Sequence, residues 1–387
     1  MSSSFPLVTL QPVTDARNAW AALMLEATPA DGAAIARVFG EFGLAATLDT
    51  LPCVLTLPDL AGVDASLPAA QIVLRLPAAF CCDAANAEPL HALRAKGFRL
   101  MATGLPAPGQ APAADVDALA LGCPGTTMPI GMGAWLARLP GPHLALGVAT
   151  AGCPGRCHFQ WLAGHVPDAA RHGAPGKGGD APNRLLLLEL LSQVANDADS
   201  HDIEATIKRD PQLSYHLLKL VNSVAFALTT KIASFSQAIT LLGRRQLQRW
   251  LQLLLYARSH DGDQANALLP RAALRAGLTE ALCKAQGGTH EAQDRAFMAG
   301  MFSLLDALFG MPIAEIVQPL NLADDVLAAL TQRAGALGAQ LRAVEASENA
   351  TAAELDAILA AAGIGHEDWA RSLVSACRWA IQVSREA

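Results

Sequence analysis

Ile207-Lys208-Arg209-Asp210-Pro211-Gln212-Leu213, running on to Asn222-Ser223, to Ser236-Gln237-Ala238-Ile239 and to Gly243, decides how the second half of this 387-residue chain is read. Asp210 is placed as an N-cap whose carboxylate accepts backbone N–H bonds, and Pro211 falls at the first helical position, where its missing N–H costs nothing. Leu213, Leu217, Leu220, Val221 and Val224 then recur at helical spacing and give one apolar face. Asn222-Ser223 end that helix or cap the next, and Gly243 permits a tight turn between two helices. The stretch predicts a stack of short, strongly punctuated helices.

In that order and spacing, Asp210, Pro211, Leu213, Asn222, Ser223, Ala238, Ile239 and Gly243 resemble the HDOD family, an output domain related to the metal-dependent HD phosphohydrolases. The resemblance runs from about Arg184 to about Arg258 and then, more loosely, to the C-terminus. It implies an all-helical, HD-related domain that acts as a protein-interaction module in bacterial signal transduction. These eight residues are its expected structural or interaction landmarks.

Working outward, the length suggests two domains, and a 52% hydrophobic composition leaves ample material for their cores. A net charge of −7 disfavours non-specific nucleic-acid binding, which phosphate neutralisation drives. Met1 to Pro6 contain no basic run of the kind that opens a secretory signal. The leucine run from Leu185 to Leu191 is broken by Glu189 and falls short of the ~20 residues of a membrane span. A cytoplasmic protein is expected. The eight cysteines are scattered, and Cys153, Cys157 and His158 have no second ligand pair at zinc-finger spacing, so reduced, structurally passive thiols are expected.

Between Leu7 and Pro167 short apolar runs alternate with helix-like stretches. Val8-Thr9-Leu10, Cys53 to Leu57, Ile72 to Leu76 and Phe98 to Ala102 read as strands; Gly32 to Phe42 and Ala87 to Lys96 read as helices. That alternation predicts an α/β domain over residues 1–167, with a parallel sheet or barrel. Residues 168–183, with Gly173 to Asp180, read as a Gly/Pro-rich linker, and residues 184–387 as one helical domain.

Val8 to Val13, followed by Trp20 to Leu25, resembles the start of an EAL domain, a modified (β/α) barrel that hydrolyses cyclic di-GMP with divalent metal held by carboxylates. Such hydrolysis needs acids at the strand ends, to fix the metals and activate a water between them. On this resemblance Ala22 stands where the name-giving Glu would be, and Thr103-Gly104 where two aspartates would be. Ala118 and Ala120, within Asp115 to Ala120, replace a Lys-x-Asp, and Leu146 replaces a further Glu; Phe159-Gln160 keeps a late Gln. The segment is also short, about 165 residues against ~250 for the usual architecture. A short, degenerate EAL-type barrel without hydrolytic activity is therefore expected. If it still binds cyclic di-GMP, Arg75, Arg99 and Arg138 are the candidate contacts.

The helical half has two His-Asp pairs. His201-Asp202 follows Asp199-Ser200, so Ser200 or Asp202 reads as an N-cap, and His260-Asp261-Gly262-Asp263 reads as a turn. Ala296 to Leu308, which resembles the family's His-Asp helix, contains no histidine and one carboxylate, Asp306. Gly300 to Asp306, Ile313 to Val317 and Pro319 to Leu327 also resemble the branch in which a degenerate EAL domain precedes HDOD. Ser236 to Trp250 has a helix–turn–helix look, with Arg244, Arg245 and Arg249 after the Gly243 turn. Leu247, Trp250, Leu251, Leu254 and Leu255 make that second helix mainly apolar, so a hairpin inside a bundle is the preferred reading. The chain thus reads as α/β plus all-α: a non-catalytic signalling regulator, with no catalytic, metal or cofactor residues, whose partners are other signalling proteins. A cyclic di-GMP receptor and a metal-dependent HD-type phosphohydrolase are the alternatives.

Overall fold

The computed structural model describes residues 5–17, 19–104, 116–122, 138–147, 160–163, 186, 189–190, 192–193, 198–209, 249, 252–253, 256, 268–320 and 322–386. Its contacts form two units: Met1–Pro167 with Ala346–Arg378, and Asp168–Glu345 with Trp379–Ala387. The expected linker at 168–183 lies outside the described residues.

In the first unit β1 (Leu7–Thr14), β2 (Trp20–Thr28), β3 (Cys53–Thr56), β4 (Ile72–Pro77), β5 (Arg99–Thr103), β6 (Ala118–Gly122), β7 (Leu144–Leu146) and β8 (Trp161–Ala163) close into a barrel in chain order. β1 runs antiparallel to β2 and β8; all the other neighbours are parallel. β3 and β4 are near-continuous apolar runs because parallel strands are covered on both faces. Ala22, Met24, Val54, Val73, Met101, Ala118, Ala120, Leu144 and Trp161 belong to one buried cluster, the small alanines making room for the larger side chains. The helix Gly32–Phe39 buries Ala34, Ile35, Val38 and Phe39, one stripe at helical spacing, and Asp31 caps it by accepting from the Ala34 N–H at 3.1 Å.

One segment departs from the expected division. Residues 184–387 were expected to be a single helical domain, yet Ala346–Arg378 belongs with the barrel. The reason is an edge. Among the described residues only Val13 and Thr14 of β1 pair with β8, so on that side the first half of β1 needs another cover. The helix His366–Glu386 supplies it: fully buried Trp369 donates its indole N–H to the Val8 carbonyl at 2.8 Å, and His366 Nδ1 lies 2.9 Å from the Phe5 carbonyl.

The same helix is tied to Gly32–Phe39 by exposed charges. Arg37 meets Glu41 and Glu367, each at 2.7 Å, and Arg371 meets them at 3.1 and 3.3 Å. Hydrogen bonds from Arg37 first, then Arg371, hold the Glu41 carboxyl down from 4.5 to about 2. Its contribution to stability is therefore present above about pH 4.5 and is lost as pH falls through about 2. Glu41→Gln is expected to lower the urea midpoint slightly near neutrality, and the difference from wild type should close in acid or in high salt. A difference that persists in acid would mean that the pairing is not its cause.

In the second unit the helices Leu268–Ala285 and His290–Phe302 pack closely, joined through Gly287 at φ +80° and capped by Thr289. Buried Arg275 bridges Ser303 at 3.0 Å and Glu345 at 3.3 Å, and Ser303 donates to the Gly300 carbonyl at 2.7 Å. Tyr256 donates to the Met301 carbonyl at 2.5 Å. Asp199, the residue before the helix Ser200–Lys208, accepts from the His201 N–H at 3.1 Å, so the capping acceptor stands ahead of the two expected positions, and Asp202 lies inside the first turn. Cys53, Cys81, Cys82, Cys283 and Cys377 are free, and burial pushes all five thiols up, Cys81 to about 11 and Cys377 to about 12. Cys153, Cys157 and His158 lie outside the described residues. Among the described residues no helix is long and apolar enough to cross a membrane.

Candidate functional site

Strand alternation points Ala22, Met24 and Glu26 to the same face of β2. Ala22 and Met24 belong to the barrel interior, and Glu26 follows them towards the C-terminal ends of the parallel strands. The register aligns Glu26 with Thr56, Thr56 with Arg75, and Arg75 with Met101. Arg75 Nε donates to Thr56 Oγ1 at 2.9 Å, and its Nη2 is ion-paired to the Glu26 carboxylate. Burial pulls the guanidinium below its ordinary value while Glu26 pulls it up; an arginine keeps its proton regardless. Around this pair opens a cavity of about 460 Å³, lined by Glu26, Thr28, Thr56, Arg75, Pro77 and Thr103 among others. It lies at the end of the strands where barrels of this kind carry their sites.

The three candidate arginines do not converge. Arg75 lines the cavity; Arg99 opens β5, two residues before the Met101 that pairs with Arg75; Arg138 is exposed and is not among the lining residues. Thr103 lines the cavity and Gly104 follows it at φ +86°, its N–H bonded to the Ala120 carbonyl at 2.9 Å. Ala22, Ala118 and Ala120 are interior packing, and half-buried Leu146 packs against them. Asp117 precedes β6: it accepts from the Leu100 N–H at 2.9 Å and pairs with Arg94 at 2.9 Å. Gln160 accepts from the His143 N–H at 2.8 Å.

Glu26 was missed by comparing single family positions; strand parity from Ala22 would have found it. Divalent metal does not fit the described lining residues, which offer one carboxylate, paired with a guanidinium, plus threonine hydroxyls. Among the described residues no three His, Cys, Asp or Glu side chains are grouped to hold a metal ion.

In the helical unit Asp210, Pro211, Leu213, Asn222, Ser223, Ala238, Ile239 and Gly243 all lie outside the described residues, as do Arg244, Arg245 and His260-Asp261. His201 and Asp202 are exposed, and exposed Asp306 accepts from the Ala307 N–H at 2.8 Å. Arg249 is engaged within the unit: it pairs with Glu280 and Asp294 and lies 4.5 Å from the centre of the Phe297 ring.

Residues 185–319 match the family model described as the HDOD domain, so the chain carries that domain behind an eight-stranded closed barrel. Among curated proteins it is homologous to the cyclic di-GMP phosphodiesterase CdgJ of Vibrio cholerae serotype O1, 30% identical over 210 residues, which are 53% of this chain and 47% of that protein. YuxH of Bacillus subtilis (strain 168) is 37% identical over 146 residues, 37% of this chain and 35% of that protein. The chain thus spans about half the length, or less, of the curated relatives it matches. Among solved structures, an HDOD domain protein of Geobacter sulfurreducens is similar with a TM-score of 0.30 and 13% identity, over 41% of this chain and 70% of that one.

Proposed function

We propose that this chain is a non-catalytic signal-transduction protein, in which the HDOD domain is the protein-interaction output module and the barrel is a degenerate EAL-type domain. The observation that carries this reading is the barrel mouth. Thr103 and Leu146 end their strands, Gly104 follows Thr103, and among the described lining residues the one carboxylate, Glu26, is held by Arg75. Hydrolysis of a phosphodiester needs free carboxylates that fix metal and an activated water. The antiparallel β1, an exception in an otherwise parallel barrel, supports the EAL-type reading.

The test is turnover. Purified full chain incubated with cyclic di-GMP and Mg²⁺ or Mn²⁺ should release no product above a protein-free control. Metal-dependent hydrolysis that a chelator abolishes would overturn the reading and favour a metal phosphohydrolase. A second reading, a receptor for cyclic di-GMP, draws on the name of the Vibrio relative and on Arg75 facing the cavity. Saturable binding without turnover, lost in Arg75→Ala, would support it.

A further inference from the structure

The ion pair at the barrel mouth is asymmetric. The Arg75 side chain is 8% exposed and Glu26 is 44% exposed. A half-exposed carboxylate can swing into water at little cost, whereas a buried guanidinium left without a counter-ion is strongly unfavourable. Nη1 of Arg75 makes no hydrogen bond among the described residues, so part of its donor fork is unused. Thr56 holds the guanidinium in place through Nε, so it stays aimed when its acid partner leaves.

The walls suit a ligand with an apolar body. Pro29, Leu57, Pro58 and Pro77 line the cavity beside the charged pair, and three of these four have no backbone N–H to satisfy. A volume of about 460 Å³ is that of a small-molecule site. From the asymmetric pair, the unused donors and the apolar walls, we infer that the barrel mouth is a receptor site for a small organic anion, a phosphate monoester or a carboxylate, which displaces Glu26 from Arg75. Two oxygens of the anionic head group, carboxylate or phosphate, meet the guanidinium fork, and Glu26 is the resident competitor that sets the affinity. The inference stands apart from the output role of the helical half and requires no chemistry at the site.

The test is a ligand-observed NMR titration of the full chain with phenyl phosphate, benzoate and neutral phenol at fixed ionic strength. At least one charged probe should bind saturably while phenol does not, and the ratio of the two assigns the head group. Glu26→Gln should bind the same probe about tenfold tighter, because one charge-assisted hydrogen bond no longer competes. Arg75→Gln should abolish binding, and Arg75→Lys, which keeps the charge but not the fork, should weaken it. If Arg75→Gln fails to fold, Glu26→Gln and Glu26→Ala carry the test. Equal or weaker binding by the folded Glu26 variants, or no distinction between charged probes and phenol, overturns the inference.

Discussion

Trp369→Ala is expected to destabilise the barrel unit by about 3–5 kcal/mol, the cost of deleting a large buried aromatic. Trp369 is fully buried, and its indole N–H is the partner of the Val8 carbonyl at 2.8 Å. The loss should therefore appear first in β1, as reduced amide protection across Leu7–Thr14 in hydrogen exchange, together with a lower urea midpoint. Trp369→Phe should keep most of the packing, leave the Val8 carbonyl unpaired, and cost about 1–3 kcal/mol. A Trp369→Ala protein with unchanged β1 protection would remove the basis for grouping Ala346–Arg378 with the barrel. This grouping also changes what proteolysis can show. A cut between His165 and Asn183 leaves Ala346–Arg378 on the helical fragment, although its contacts are with the barrel unit.

Gly300→Val is expected to cost at least ~3 kcal/mol, the upper end of overpacking penalties. A Cβ at Gly300 would lie 2.6 Å from the Ala276 Cα and 2.6 Å from the Arg275 carbonyl oxygen, so two helix backbones would have to separate. The backbone Gly300 carbonyl also anchors Ser303, and Ser303 anchors Arg275, so the shift would reach a buried charge. Gly300→Ala gives a contrast in sign. Helix propensity alone favours alanine by ~1 kcal/mol, whereas backbone contact at this distance opposes it and should prevail. Urea unfolding followed by far-ultraviolet circular dichroism measures both variants. An alanine variant more stable than wild type would show that the two helices are not in close contact.

Much of the barrel was legible because its signals are local. Val8-Thr9-Leu10, Cys53 to Leu57, Ile72 to Leu76 and Phe98 to Ala102 are apolar runs bounded by Pro or Gly, and each coincides with a strand to within a residue or two, apart from the first, which lies inside the longer β1. Gly32 to Phe42 and Ala87 to Lys96 likewise contain helices, Gly32–Phe39 and Ala87–Ala95, their ends set by capping and by glycine. The resemblance to the HDOD family was equally readable, and the family match at 185–319 agrees with it.

What escaped the sequence depends on which elements meet. Helical periodicity shows that the helix His366–Glu386 has an apolar face, but not that, among the described residues, the first half of β1 has no partner on its β8 side and that Trp369 covers it. Glu26 and Arg75 are 49 residues apart, and only the register of three parallel strands sets them on one side of one cavity. By itself the sequence determined several strands and helices of the barrel unit and the HDOD family of the helical half. The tertiary structure alone decided which edge the C-terminal helix covers and which charge Arg75 holds, because burial and pairing across long sequence separations follow from packing, not from local propensity.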